Sequence, residues 1–309
     1  MLLGLLWILL PLIVGYLIPL RHEGLKRAID RGVNASVYVI LLLMGVGLGG
    51  LENLAGQLSR IGTTAITLFA VITPLNLMAL AWLCRRPPGR PLELTEQAHD
   101  GPAAGKLQAL FGSLKLAGVV ALGMAIGALA LQFDRPIAAG ADTLATWTLY
   151  LLLGLIGCQL RNSGLGLRQI LLNRLGLATA LTLFVSSMLA GLIAAPLLSL
   201  PWNEGMAMAA GFGWYSLSGI LIGDQLGPVL GGAAFFNDLA RELLAFLLIP
   251  LFIRRQPPLA VGYSGATAMD VTLPVIQQYG GITVVPLAIV SGFLLSLLSP
   301  PLTLLLLSF

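Results

Sequence analysis

Three ionisable side chains fall within one short apolar stretch of this chain. In AAFFNDLARELLAFLLIP (233–250), Asp238, Arg241 and Glu242 follow one another at i, i+3 and i+4. A helix therefore carries all three on one face, with Asn237 at its edge. Leu239, Leu243 and Phe246 supply apolar flanks. Taking 233–253 as one bilayer crossing, Glu242 falls near its centre, where an acid costs about 2.5–3.5 kcal/mol on insertion scales. Crossing alone gives no reason to accept three charges there. Asp238 and Arg241 can neutralise each other, and Arg241 can equally pair with Glu242. Either pairing leaves one negative charge in excess. A buried ion pair locking two helices is the structural alternative for Asp238 and Arg241. Glu242 is left as a carrier of protons or of a cationic group.

A second acid, Asp270, sits in TAMDVTLP (267–274), where the proline breaks a helix. A break exposes helix ends and backbone carbonyls, and the Asp270 carboxylate, with Thr267 nearby, can take an ammonium group or a proton. Capping of the following half-helix is compatible with that role. In GFGWYSLSG (211–219), Tyr215, Ser216 and Ser218 offer hydroxyls beside free backbone N–H groups, a set suited to a substrate carboxylate. Back-bonding within a kinked helix is their structural alternative.

The other polar residues say less. Glu52 and Asn53 close a helix, Asp224 is a cap or an interfacial charge, and Lys115 snorkels toward the cytoplasmic surface. His22 and His99 lie in loops, and no Cys, His or Asp spacing resembles a metal site. Cys84 and Cys158 form no framework that implies a disulfide. No nucleotide-binding motif is present, so the sequence calls for no cofactor. Ser218-Gly219 has no histidine in a crossing to serve as its base, and Arg241 beside Glu242 fits an aspartyl dyad poorly. The chain does not read as an enzyme.

These residues need elements to hold them. Of 309 residues, 57% are hydrophobic and 10% charged, against about 45–50% and about 25% in soluble domains. A water-soluble enzyme and a disordered chain are excluded. The net charge of +4 lies in short basic clusters between apolar runs, which positive-inside topology explains without nucleic acid. Crossings need about 20 apolar residues. Candidates are 3–20, 35–51, 62–83, 109–131, 144–160, 175–200, 233–253 and 283–308. The first lacks the basic leader and small-residue cleavage site of a signal peptide.

Arg21, Lys26, Arg27 and Arg31 put the end of that first helix in the cytoplasm and the N-terminus outside. Alternation then places Arg85/Arg86/Arg90/Lys106, Arg161/Arg168/Arg174 and Arg254/Arg255 inside, with only Arg60 and Arg135 in outer loops. The Pro-rich segment 84–108 reads as a cytoplasmic linker. Two apolar stretches, 205–227 and 233–253, separate the outer loop near Pro201–Glu204 from the inner Arg254/Arg255. Two full crossings would break the charge rule, so 205–227 reads as a re-entrant hairpin entering from outside. The segment 258–281 reads as a second hairpin entering from the cytoplasm. Irregular backbone at this depth needs protein or water around it, which points to a solvated cavity near the midplane. Ten spans, two of them broken, is the competing count.

An internal repeat organises the first two-thirds of the chain. LLLMGVGLGGLENL (41–54) corresponds to LLLGLIGCQLRN (151–162), and TAITLF (64–69) to TALTLF (179–184). Helices 1–3 therefore repeat as helices 4–6, inverted because each unit crosses three times. The fold class is an all-α polytopic membrane protein of about eight transmembrane helices plus two opposed re-entrant hairpins, with inverted repeats.

PLIVGYLIPLR (11–21), GFGWYSLSGIL (211–221), FFNDLARELLA (235–245) and ATAMDVTLP (266–274) resemble the bacterial lysine exporter (LysO-type) family. The resemblance covers essentially the whole chain. It implies an inner-membrane exporter of L-lysine and its toxic analogue thialysine, driven by proton antiport, with both termini periplasmic as the charge pattern also requires. It carries the family's two essential acids onto Glu242 and Asp270. The implied mechanism is competition, in which both carboxylates bind either the cationic substrate or protons from outside. The element order is also similar to that of glutamate transporters, with opposite orientation. On that analogy, 1–200 is a scaffold-like region and 201–309 a transport region. The partners are then L-lysine, thialysine, protons and the lipid bilayer. A homo-oligomer is compatible with this, and no metal, cofactor or nucleic acid is called for. The alternative function is a sodium-coupled carrier of an organic carboxylate or other small metabolite.

Overall fold

The computed structural model describes residues 10–11, 13–19, 23–50, 54–85, 104–132, 138–162 and 173–309, and no strand occurs among them. Among the described residues there are helical turns at 10–11 and 13–16 and eleven helices. They are α1 (Glu23–Gly49), α2 (Leu54–Arg85), α3 (Ala104–Gln132), α4 (Ala138–Arg161), α5 (Arg174–Leu197), α6 (Trp202–Ala209), α7 (Tyr215–Leu226), α8 (Pro228–Phe252), α9 (Pro257–Ser264), α10 (Leu273–Gly280) and α11 (Val285–Leu307), with 3-10 turns at Gly265–Met269 and Ile282–Val284.

Among the described residues four segments are long and apolar enough to cross a membrane: Gly24–Gly49, Gly56–Arg85, Arg174–Leu197 and Val285–Leu307. Shorter apolar runs lie at Gly118–Leu131 and Thr143–Gln159. The α8 helix matches them in length at 25 residues but is set apart by its three charges. Large apolar side chains such as Ile66, Trp82, Trp147, Leu181 and Leu251 lie exposed on the outside. In water that surface would be an association liability, whereas in lipid it is the ordinary exterior.

Several helices run beyond the apolar cores from which the sequence locates them. The α1 helix begins at Glu23 rather than 35 and so takes in Lys26, Arg27 and Arg31. The expected linker 84–108 is shorter, because α2 continues through Arg85 and α3 starts at Ala104. Long basic side chains let a helix outrun its apolar core into the interface. The rest of that linker, with Arg21, His22, Glu52, Asn53, His99, Arg135 and Arg168, lies outside the described residues.

Prolines start the late helices where they cost no hydrogen bond. Pro228 follows Gly227 (φ 88°), Pro257 and Pro258 open α9, and Pro286 lies in the first turn of α11. Asn173 caps α5 by accepting from the Gly176 N–H at 2.8 Å and donates to the Pro286 carbonyl at 3.0 Å, which joins the starts of α5 and α11.

Two segments double back. The α6 helix starts beside the end of α11, where Asn203 Nδ2 donates to the Leu306 carbonyl at 3.1 Å. The chain turns at 210–214, and α7 returns to the start of α8 through Gly227. A side chain at Gly219 would lie 2.8 Å from Phe235 Cβ, which measures how closely α7 and α8 approach. The second segment begins and ends at the opposite end of α8: α9 starts just past Ile253, and Gly280 at the end of α10 packs against Ile253 and Val284.

The two turns meet halfway along α8 and α11. The Ala266 N–H donates to the Phe212 carbonyl at 3.0 Å. Ser296 and Ser299 of α11 donate to the carbonyls of Ala266 and Ala210 at 3.3 and 2.8 Å. Phe212 (φ 50°) and Gly265 (φ 64°) both occupy the left-handed region, and a side chain at Gly265 would collide with the Phe212 carbonyl.

Candidate functional site

Asp238 is the hub. Fully buried midway along α8, it accepts the Ser218 hydroxyl on Oδ2 at 2.7 Å. Its Oδ1 accepts the Gly213 N–H at 3.2 Å, Asn237 Nδ2 at 3.2 Å and Arg241 Nη1 at 3.1 Å. One carboxylate thus ties the 210–214 turn, the first turn of α7 and its own helix together. The Arg241–Asp238 ion pair decides the choice that spacing left open. With both side chains shielded from water, each partner depends on the other to remain there, because removing either leaves an uncompensated buried charge.

Arg241 lies over the Tyr263 ring of α9, 5.9 Å from its centroid. The Tyr263 hydroxyl meets Thr73 Oγ1 of α2 at 2.8 Å. Nearby, Asn76 Oδ1 accepts the Ser186 hydroxyl at 2.7 Å, and its Nδ2 donates to Ser187 Oγ at 3.1 Å. A polar chain therefore runs from the charged helix to the α2–α5 pair. Sequence reasoning missed Tyr263, Thr73 and Asn76. The available signal was weak: Thr73 and Asn76 flank Pro74 in the apolar second half of α2.

Glu242 is 1% exposed, on the same helix as the hub. Asn237 is fully buried beside them. Ser218 is drawn into the hub, whereas Ser216 is buried without taking part in it. The Tyr215 ring stands edge-on to Phe235 with centroids 5.5 Å apart. Asp238, Arg241, Asn237 and Ser218 thus form one cluster, and Tyr215 joins the aromatic packing next to it.

Asp270 is placed differently. It is exposed, and its Oδ1 accepts the Val271 N–H at 2.6 Å within its own turn. Thr272, not Asp270, occupies the N-cap position of α10. Thr267 shapes this turn: its hydroxyl donates to the Ser264 carbonyl at 2.9 Å, and its own carbonyl accepts the Thr272 hydroxyl at 3.0 Å.

A separate cavity of about 270 Å³ opens between α1, α4 and α7, lined by Ile40, Gly47, Thr146, Ile220 and Gly223, with Asp224 among them. Thr146 Oγ1 and Gln225 Nε2 donate to Asp224 at 3.0 and 2.7 Å. Lys115 Nζ sits 5.1 Å from the Tyr38 ring centroid. Cys84 and Cys158 are both free. Among the described residues no three His, Cys, Asp or Glu side chains are grouped to hold a metal.

Comparison with known proteins places this cluster in a family. Residues 117–307 match the family described as "Lysine exporter LysO". Over 297 residues the chain is 50% identical to the lysine exporter LysO of Escherichia coli (strain K12), an alignment covering 96% of each protein. It is also 48% identical over 155 residues to a Haemophilus influenzae protein named "Putative lysine exporter", covering 49% of this chain and 80% of that one.

Proposed function

The chain belongs to the LysO lysine exporter family, and on that premise we propose that it exports L-lysine from the cytoplasm in exchange for protons. The observation that carries this is the charged face of α8, with Asp238, Arg241 and Glu242 all buried at the depth where two opposed turns meet. A neutral solute would need no such face. A cation passing through apolar surroundings needs a carboxylate, and a carboxylate that alternates between a cation and protons couples their movements. Glu242 and Asp270 have the two roles. Glu242, buried on the central helix, receives the substrate ammonium or a proton. Asp270, on the second turn, offers the same choice. Thialysine has the same charges as lysine and follows the same route.

Family membership and the apolar exterior together support a multi-pass membrane protein. Its place is the bacterial inner membrane, with the N- and C-termini periplasmic, because the basic clusters then face the cytoplasm. The segment 201–309, which holds both turns and the charged helix, is the transport region, and 1–200 supports it.

Proteoliposomes loaded with lysine test the coupling. Efflux should acidify the side that lysine leaves and make the side it enters more alkaline, read by a pH dye on each face, and should not move ²²Na⁺. Glu242→Gln and Asp270→Asn should each abolish the coupled proton movement. Proton coupling retained in both variants, or ²²Na⁺ moving with lysine, would overturn the assignment.

A further inference from the structure

The guanidinium of Arg241 is only partly used. Arg241 is fully buried, and Nη1 is committed to Asp238. Its Nε and Nη2 meet no hydrogen-bond acceptor, and neither does the buried Oδ1 of Asn237 meet a donor. Asn237 and Arg241 stand one turn apart on α8, and both are anchored on the same oxygen, Asp238 Oδ1. Because a carboxylate only accepts, it fixes the Asn237 amide with its NH₂ toward Asp238 and its carbonyl away. It likewise holds Arg241 by one nitrogen, leaving the Nε–Nη2 edge without an acceptor beside the Tyr263 ring. That edge is the side-on fork that matches the two oxygens of a carboxylate. Buried donors and acceptors are almost always paired, so a matched set left over beside a transport cluster describes the ligand that completes it.

We propose that Arg241 and Asn237 bind the amino-acid head group of the substrate, with Arg241 Nε and Nη2 donating to the α-carboxylate and Asn237 Oδ1 accepting from the α-ammonium. This rests on the export reading above and deepens it. The side-chain ammonium then falls to Glu242 and Asp270, and the head group to Asn237 and Arg241. Asp238 is a positioning residue that orients both groups without touching the substrate. Specificity follows from the division of labour: a diamine lacking the carboxylate leaves the guanidinium edge unmatched, and an amino acid lacking the second ammonium leaves the acids unmatched.

The test uses the full chain in proteoliposomes and [¹⁴C]lysine counterflow. With the wild type, L-lysinamide, which lacks the carboxylate, and 6-aminohexanoate, which lacks the α-ammonium, should each compete about 10- to 100-fold less well than unlabelled lysine. Lysinamide competing as well as lysine would overturn the assignment of Arg241. Equal competition by 6-aminohexanoate would overturn that of Asn237. The charge-balanced double variant Asp238→Asn/Arg241→Gln should bring lysine and lysinamide to within about twofold of each other; an unchanged preference would also overturn the proposal. The wild-type arm keeps the test decisive should the variant not fold. No lysine counterflow at all would sink the export reading itself, whereas lysine transport without head-group selectivity would sink only this inference.

Discussion

The α1–α3 contact and the α8–turn contact hold together by opposite means. Between α1 and α3, Gly45, Gly49, Gly123 and Gly127 let backbone meet backbone, and a Cβ at Gly45 would lie 2.9 Å from the Cα of Gly123. At α8 the joints are an ion pair and hydrogen bonds to one carboxylate. Lipid offers no hydrophobic drive for helices to associate, so close packing of small residues is one durable solution and polar joints are the other. The first has a single fit. The second consists of discrete bonds that can be exchanged for others. Both means recur elsewhere: Gly219, Gly223 and Gly231 bring α7 against α8, and Asn76 joins α2 to Ser186 and Ser187 of α5.

Four substitutions would break or sharpen this contrast. Gly49→Val drives a side chain into the Met124 carbonyl on α3 and should destabilise by about 3 kcal/mol or more, seen as loss of monodisperse protein in detergent melts. Glu242→Gln should do the reverse, keeping the melting temperature while lowering lysine transport more than about 100-fold, equivalent to about 2.7 kcal/mol. If it melted as Gly49→Val does, the contrast would fail. Ser218→Ala removes a 2.7 Å bond to a buried carboxylate and should cost about 1.5–2 kcal/mol, with a smaller loss of transport than Glu242→Gln. Thr73→Val, which strips the Tyr263 hydroxyl of its partner on α2, should cost about 1 kcal/mol. A double-mutant cycle with Tyr263→Phe should return most of that as coupling.

The membrane class, the charged helix and the positions of both turns were legible in the sequence, because each carries a local signature. Composition marks the solvent, three charges in an apolar run mark α8, and GFGWYSLSG and TAMDVTLP carry their own helix breakers. Partner choice was not legible. Spacing allowed Arg241 either acid, and only the approach of the 210–214 turn, with Ser218 and the Gly213 N–H, makes Asp238 the hub. Tyr263, Thr73 and Asn76 escaped notice because their meaning is pairwise: Thr73 and Tyr263 stand 190 positions apart in the chain, and neither alone departs from an ordinary apolar helix. The hydroxyls of 215–218 were read as one set, yet packing separates Ser218 from Tyr215, whose ring is engaged with Phe235.

The backbone of Phe212 bears on how firmly the two turns hold one another. A bulky residue at φ 50° is strained by about 1–2 kcal/mol, while the single backbone bond it accepts from Ala266 returns about 0.5–1.5 kcal/mol net. At this junction the two quantities nearly cancel. The joined arrangement is therefore held by the surrounding side chains more than by the junction itself, and parting the turns would let Phe212 relax. What must give way if the turns part is that set of side-chain bonds, those of Ser296 and Ser299 among them, rather than the backbone bond.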